Sequence, residues 1–249
     1  VNAVCRALDS DISTLPSWAG MSPLELVSDE ELVVSSEDVR CFFYIFRIPS
    51  SWHRFMAFNR PLPPSLCGSK PGNWYPCSSV LPMGFKNSVS LAQHVHRVIA
   101  KKALARCRLG GELELRKDRC FTMGNPMFRI YLDNFDELQR VSKGHAEVIA
   151  GKVSPLVSCL REEYSLLNVP RHPKKGVSSQ SVAEVQGAIV DGQLGIAYPK
   201  PDKVLKYAQL AMVLLNEGVA TQKQMQVVGG GLVYLAMFRR PLLGSLNCI

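Results

Sequence analysis

Long apolar runs are missing from this sequence. No stretch approaches the roughly 18 uncharged apolar residues of a membrane-spanning helix. The most apolar segment, 204–215, is shorter and carries Lys206. No membrane partner is therefore expected. The eight cysteines contain no Cys-x-x-Cys pair and no zinc-ligand spacing. They read as reduced thiols of an intracellular protein, cytoplasmic or nuclear. His94 and His96 lie two apart on an expected helix, face different directions and make a poor metal pair. No secretory leader is expected either. The first residue is Val and not Met, so the chain is expected to start inside a longer open reading frame. Negative charge is the scarcer sign, with 21 Asp and Glu against 29 Lys and Arg, a net charge of +8.

That surplus suits a polyanionic partner, because phosphates reward a cationic surface with released counterions. Plain solubility charge explains the same number. The distribution favours the former, since the first 37 residues are acidic and the surplus lies in 97–119 and 171–175. With 47% apolar and 20% charged residues over 249 positions, the composition is that of one large globular domain or two modest ones.

Residues 32–48 are rich in Val, Ile, Phe and Tyr, and their first part reads as a strand. Residues 59–80 carry the Pro, Gly and Ser of a loop or open hairpin. Ser22-Pro23 is expected to open a short helix. Ser88 or Ser90 is expected to cap a helix to about 107, with Leu91, Val95, Val98, Ile99 and Leu104 near one face. A short strand over 127–132 precedes a turn at Asp133-Asn134. Residues 142–168 read as helix broken at Ser154-Pro155, where Ser154 caps the second piece. Asp191-Gly192 marks a hairpin between 182–190 and 194–198. Two helices close the chain, about 202–216 and 221–238, the second capped by Thr221. An antiparallel sheet backed by helices, the α+β class, fits this order.

Asp38 and Asp133 each end an apolar strand. Two such acids can meet at one sheet edge and suit magnesium, which takes hard oxygen ligands. By themselves they fit strand-to-turn boundaries better than a metal pair. In 81–88, Gly84 permits close backbone approach and Lys86 offers a point charge for phosphate, just ahead of a capped helix.

In order along the chain, these segments resemble the motifs of reverse transcriptases, and retroelement polymerases above all. Asp38-Val39-Arg40-Cys41-Phe42-Phe43 with Pro49 resembles the first motif of the polymerase palm. Leu81-Pro82-Met83-Gly84-Phe85-Lys86-Asn87-Ser88 resembles the second, and Tyr131-Leu132-Asp133-Asn134 the Tyr-x-Asp-Asp box. Lys174 or Lys175 resembles the fourth-motif lysine, and 185–191 the strand pair that grips the primer. Residues 231–234 with 238–242 resemble a thumb helix.

The resemblance implies a right-hand polymerase palm with partial fingers and a helical thumb. Its expected divisions are partial fingers over 1–37, palm over 38–199 with a finger insertion at about 55–85, and thumb or connection over 200–249. It implies RNA-directed DNA polymerase activity: nucleotidyl transfer from a dNTP to a primer 3′-hydroxyl on an RNA or DNA template. Two magnesium ions, replaceable by manganese, would sit on Asp38, Asp133 and the Val39 carbonyl. Phe43 would be the ring that rejects a 2′-hydroxyl, although Phe42 can take that register. Met83, Gly84, Lys86 and Asn134 would border the nucleotide, and Gln186 and Gly187 the primer. Lys174 or Lys175 would be the general acid for pyrophosphate.

Three departures stand out. Met83 replaces the usual Gln, Asn134 replaces the second Asp of the box, and Arg6 is the single basic residue before Asp38. The alternative is a catalytically decayed, nucleic-acid-binding relative. A viral-type RNA-templated RNA polymerase fits less well, because Phe43 argues against it.

Overall fold

The computed structural model describes residues 12–21, 23–68, 71–239 and 241–246. Ser22, Arg6 and Arg240 lie outside the described residues. Where a helix was expected after Ser22-Pro23, residues 24–27 are irregular. The elements are β1 (Glu30–Asp38), α1 (Pro64–Cys67), α2 (Ser88–Arg106), β2 (Met127–Tyr131), β3 (Asn134–Ser142), α3 (His145–Ile149) and α4 (Pro155–Leu166). They continue with β4 (Val177–Gln180), β5 (Val182–Val185), β6 (Ala188–Asp191), β7 (Ile196–Pro199), α5 (Pro201–Glu217), α6 (Gln222–Ala236) and α7 (Pro241–Ser245). Among the described residues no helix is long and apolar enough to cross a membrane.

Two antiparallel sheets organise the chain, one ordered β2-β3-β1-β4 and the other β5-β6-β7. Strand residues alternate between two faces, so each central strand feeds two cores. Phe128, Ile130 and Phe135 pack with Ile99, Ala103, Leu156, Leu160 and Tyr164 on the side of α2 and α4. Leu32, Val34, Met127 and Leu138 pack with Trp18, Ala183, Val185, Ala188 and Val190 on the side of the second sheet. The mixture of antiparallel sheets and helices agrees with the expected class.

Two elements depart from the expectation. β3 lies inside the sheet, although Asn134, Asp136, Glu137, Gln139 and Arg140 gave it no apolar signal. Helix begins at His145 and covers only 145–149 and 155–166 of the expected stretch. On α2 neither serine caps the helix. Asn87 is the N-cap residue, Ser88 Oγ donates to the Pro82 carbonyl and Ser90 Oγ to the Asn87 carbonyl. Leu91 and Val98 are exposed. The buried stripe is Ala92, Gln93, His96, Ile99, Ala100, Ala103 and Leu104, because two polar side chains find partners on the sheet. The caps expected at Ser154 and Thr221 are present, the second as a full capping box with Gln224.

The second sheet is joined to the first by backbone. Leu32 N–H donates to the Gly192 carbonyl at 3.0 Å, and Gly192 N–H donates to Ser181 at 2.7 Å. A Cβ on Gly192 would overlap the Leu32 carbonyl. Gly192→Ala is therefore expected to destabilise the fold by about 2–3 kcal/mol, as overpacking against a fixed backbone does, read as a lower urea midpoint.

Candidate active site

β1 ends at Asp38, and β2 turns into β3 through Leu132 and Asp133. The β1–β3 register sets Asp38 opposite Asn134, and Val39 N–H donates to the Asp133 carbonyl at 2.8 Å. Both acids therefore stand at one edge of the sheet. Asp38 is buried, and Asp133 is half-buried. Burial, and then the charge of Asp38, raises Asp133 above the ordinary carboxylate range. Asn134 Nδ2 donates to Asp133 Oδ1 at 3.0 Å. Two like charges so placed gain from a divalent cation between them. No cluster of three or more His, Cys, Asp or Glu occurs among the described residues. The two carboxylates are hard oxygen donors of the kind that magnesium or manganese takes.

The chain then separates the two candidate lysines. The strand that carries Asp38 continues beside 170–175: Arg40 N–H donates to the Pro170 carbonyl, and His172 N–H to the Asp38 carbonyl, both at 2.8 Å. Lys175 Nζ reaches Asp38 Oδ2 at 3.1 Å. Lys174 is exposed, with its amide on His172 Nδ1 at 3.3 Å. Glu37, fully buried on the helix side, holds the same segment: Arg161 Nε donates to it at 2.6 Å and Arg171 Nε at 2.7 Å.

Phe42 is a core side chain against Phe46 and His96, whereas Phe43 is only partly buried. Phe43 packs also with Leu81 and Phe85 of the second motif. Leu81 N–H donates to the Phe46 carbonyl at 2.9 Å, so 81–88 is laid against the first motif. Met83 is exposed. Gly84 has φ +93° and open space around its missing Cβ, so the turn and not close approach demands glycine. Lys86 is half-buried just ahead of α2.

Gln186 and Gly187 form the two-residue turn between β5 and β6, both with positive φ, as a type I′ hairpin requires. The run 182–190 is thus itself a hairpin, and the one at Asp191-Gly192 follows it, with Asp191 Oδ1 accepting from Gln193 and Leu194 N–H. Tyr234 on α6 donates its hydroxyl to the Gly187 carbonyl at 2.6 Å.

Gln93 and His96 went unrecognised as site residues. Leu132 has φ +53°, a left-handed conformation that costs a leucine energy. Gln93 Nε2 donates to the Ile130 carbonyl at 2.9 Å, and Leu132 N–H donates to Gln93 Oε1 at 2.8 Å. His96 Nδ1 bonds the Leu132 carbonyl, and since a carbonyl only accepts, Nε2 must accept from the Tyr164 hydroxyl at 2.5 Å. The turn that presents Asp133 is pinned from behind. The signal available was two polar residues, three apart, on an otherwise apolar helix stripe.

Burial lowers His96 to about 4. Burial raises Glu137 to about 7, against the hydrogen bond it accepts from Ser154. The two act oppositely. His96 is below its unfolded value of 6.5, so stability is lost as pH falls from there towards about 4. Glu137 is above its unfolded value of 4.5, so stability is lost as pH rises from there to about 7. Between pH 4.5 and 6.5 they cancel. Glu137→Gln removes one side, and its unfolding free energy is expected to fall by about 2–3 kcal/mol as pH is lowered from 6.5 to 4.5. Urea titrations at four or five pH values test this, with a flat wild-type profile as reference.

No protein-family model matches the chain, and no curated protein matches it. Solved structures do. The structure is similar to a foamy viral protease-reverse transcriptase in complex with an RNA/DNA hybrid, at 14% identity and a TM-score of 0.49 over 96% of this chain. It is similar also to a foamy viral protease-reverse transcriptase dRH in complex with double-stranded DNA, at 12% identity and a TM-score of 0.49 over 92% of this chain. The chain spans 26% and 33% of the lengths of those two proteins.

Proposed function

We propose that this chain is the palm-centred core of an RNA-directed DNA polymerase, adding a deoxynucleotide to a primer 3′-hydroxyl on a nucleic-acid template. The observation that carries the reading is the meeting of Asp38 and Asp133 at one sheet edge, closed by the Val39 to Asp133 backbone bond. Asp38, Asp133 and the Val39 carbonyl would hold magnesium or manganese. When bound, that pair of ions supplies charge stabilisation for the triphosphate and a more acidic primer hydroxyl.

The chain's own residues do the rest. Phe43 offers a ring at the position that decides between a 2′-hydrogen and a 2′-hydroxyl. Met83, Gly84, Lys86 and Asn134 border the nucleotide, and Gln186 and Gly187 hold the primer end. Lys175, already hydrogen-bonded to Asp38, is the better placed of the two lysines to give a proton to departing pyrophosphate. Lys174 lacks that contact with the acid.

A second reading, a nucleic-acid-binding relative that has lost catalysis, is favoured by two features. Asn134 stands where the box has its second acid, and Lys175 forms an ion pair with one carboxylate. Primer extension on an RNA template with dNTP and magnesium separates the readings. Incorporation by the wild type supports the first. Salt-sensitive template binding without incorporation, restored to turnover by Asn134→Asp, supports the second.

A further inference from the structure

Beneath the site lies a buried ion pair that none of the motifs uses. Arg129 and Asp136 face each other across the β2–β3 register, with Arg129 Nε on Asp136 Oδ2 at 2.7 Å. Both are essentially inaccessible, at 1% and 0% exposure. Arg129 is covered by the Trp18 ring, 3.9 Å from guanidinium carbon to ring centroid. Asp136 also accepts from Ser36 Oγ at 2.6 Å, two residues before Asp38, and from Gln186 Nε2 at 2.9 Å. One carboxylate, on the strand leaving Asp133, therefore touches β1 just before Asp38, the strand entering the Asp133 turn, and the turn between β5 and β6.

We propose that Asp136 is a positioning residue that fixes the Gln186-Gly187 turn relative to the edge bearing Asp38 and Asp133. The turn gains from such an anchor, because Gln186, a residue with a Cβ, sits at φ +48°. Asp136 holds it from the sheet side, and Tyr234 holds the Gly187 carbonyl from the other. A buried charge with three donors is a stiff fixture, since each donor lost leaves part of the charge unsatisfied. The geometry stands without the polymerase reading. Its consequence for primer placement rests on that reading.

The test uses Gln186→Met, which removes the tie and leaves Asp136 with Arg129 and Ser36. It is paired with Arg129→Met/Asp136→Leu, which removes the hub without stranding a charge. Amide exchange at Gly187 and Ala188 is expected to quicken about tenfold in both, the loss of one charge-assisted hydrogen bond. In primer extension, kcat is expected to fall about tenfold in both variants while the dNTP KM holds. Unchanged exchange in both variants overturns the proposal, whether or not the wild type extends primers. Quickened exchange with kcat unchanged in a wild type that does extend also overturns the primer-placement role. A wild type that extends nothing removes the polymerase reading, and exchange alone then decides the hub.

Discussion

Asp38→Asn and Asp133→Asn are each expected to lower magnesium-dependent incorporation by about a thousandfold or more, the scale of several kcal/mol of charge stabilisation. Asn keeps the shape and removes the charge, so the edge formed by Val39 and Asp133 stays closed. At Asp133 stability does not follow the activity down. Its ionised form is disfavoured by burial and by Asp38, so removing the charge leaves the fold no weaker at neutral pH. Added magnesium should raise the wild-type melting temperature, because a ligand bound only by the folded state stabilises it. That rise should vanish in both variants. Primer extension and thermal melting together check the pair, and full activity in either variant removes the polymerase reading.

Arg129→Ala carries the largest expected cost to folding, about 3–5 kcal/mol, because Asp136 is left buried and uncompensated. Replacing both partners with apolar side chains of similar volume costs far less, since no ion remains out of water. The urea midpoint of Arg129→Ala should therefore fall well below that of Arg129→Met/Asp136→Leu. Equal midpoints would mean that the pair contributes packing and not charge.

These residues also mark where the sequence stopped being legible. β1, β2, α5 and α6 could be read from periodicity and caps, and Thr221 and Ser154 cap where expected; α2 was legible as a helix, but not its cap or its buried face. β3 could not. Its buried residues include Asp136 and Glu137, and a strand with an acid on each face reads as turn or helix until Arg129 and Ser154 are found opposite them. The same holds at the site. The order of motifs pointed to Asp38 and Asp133, but that Lys175 and not Lys174 contacts Asp38 follows from the path of 170–175. Gln93 and His96 left only a weak trace, because most of their partners are backbone atoms of Ile130 and Leu132, and sequence carries no record of a backbone partner.

The polar pins on α2 have a mechanical consequence. A helix that packs by apolar side chains alone can move by one turn, about 5.4 Å, and find similar contacts. On α2 such a step would pull Gln93 from one donor and one acceptor at once, and His96 from a third. Those groups lie in the dry interior, so a displaced α2 has no second resting place. The helix behind the acids is keyed to a single register, and motion in this part of the protein must come from elements other than α2.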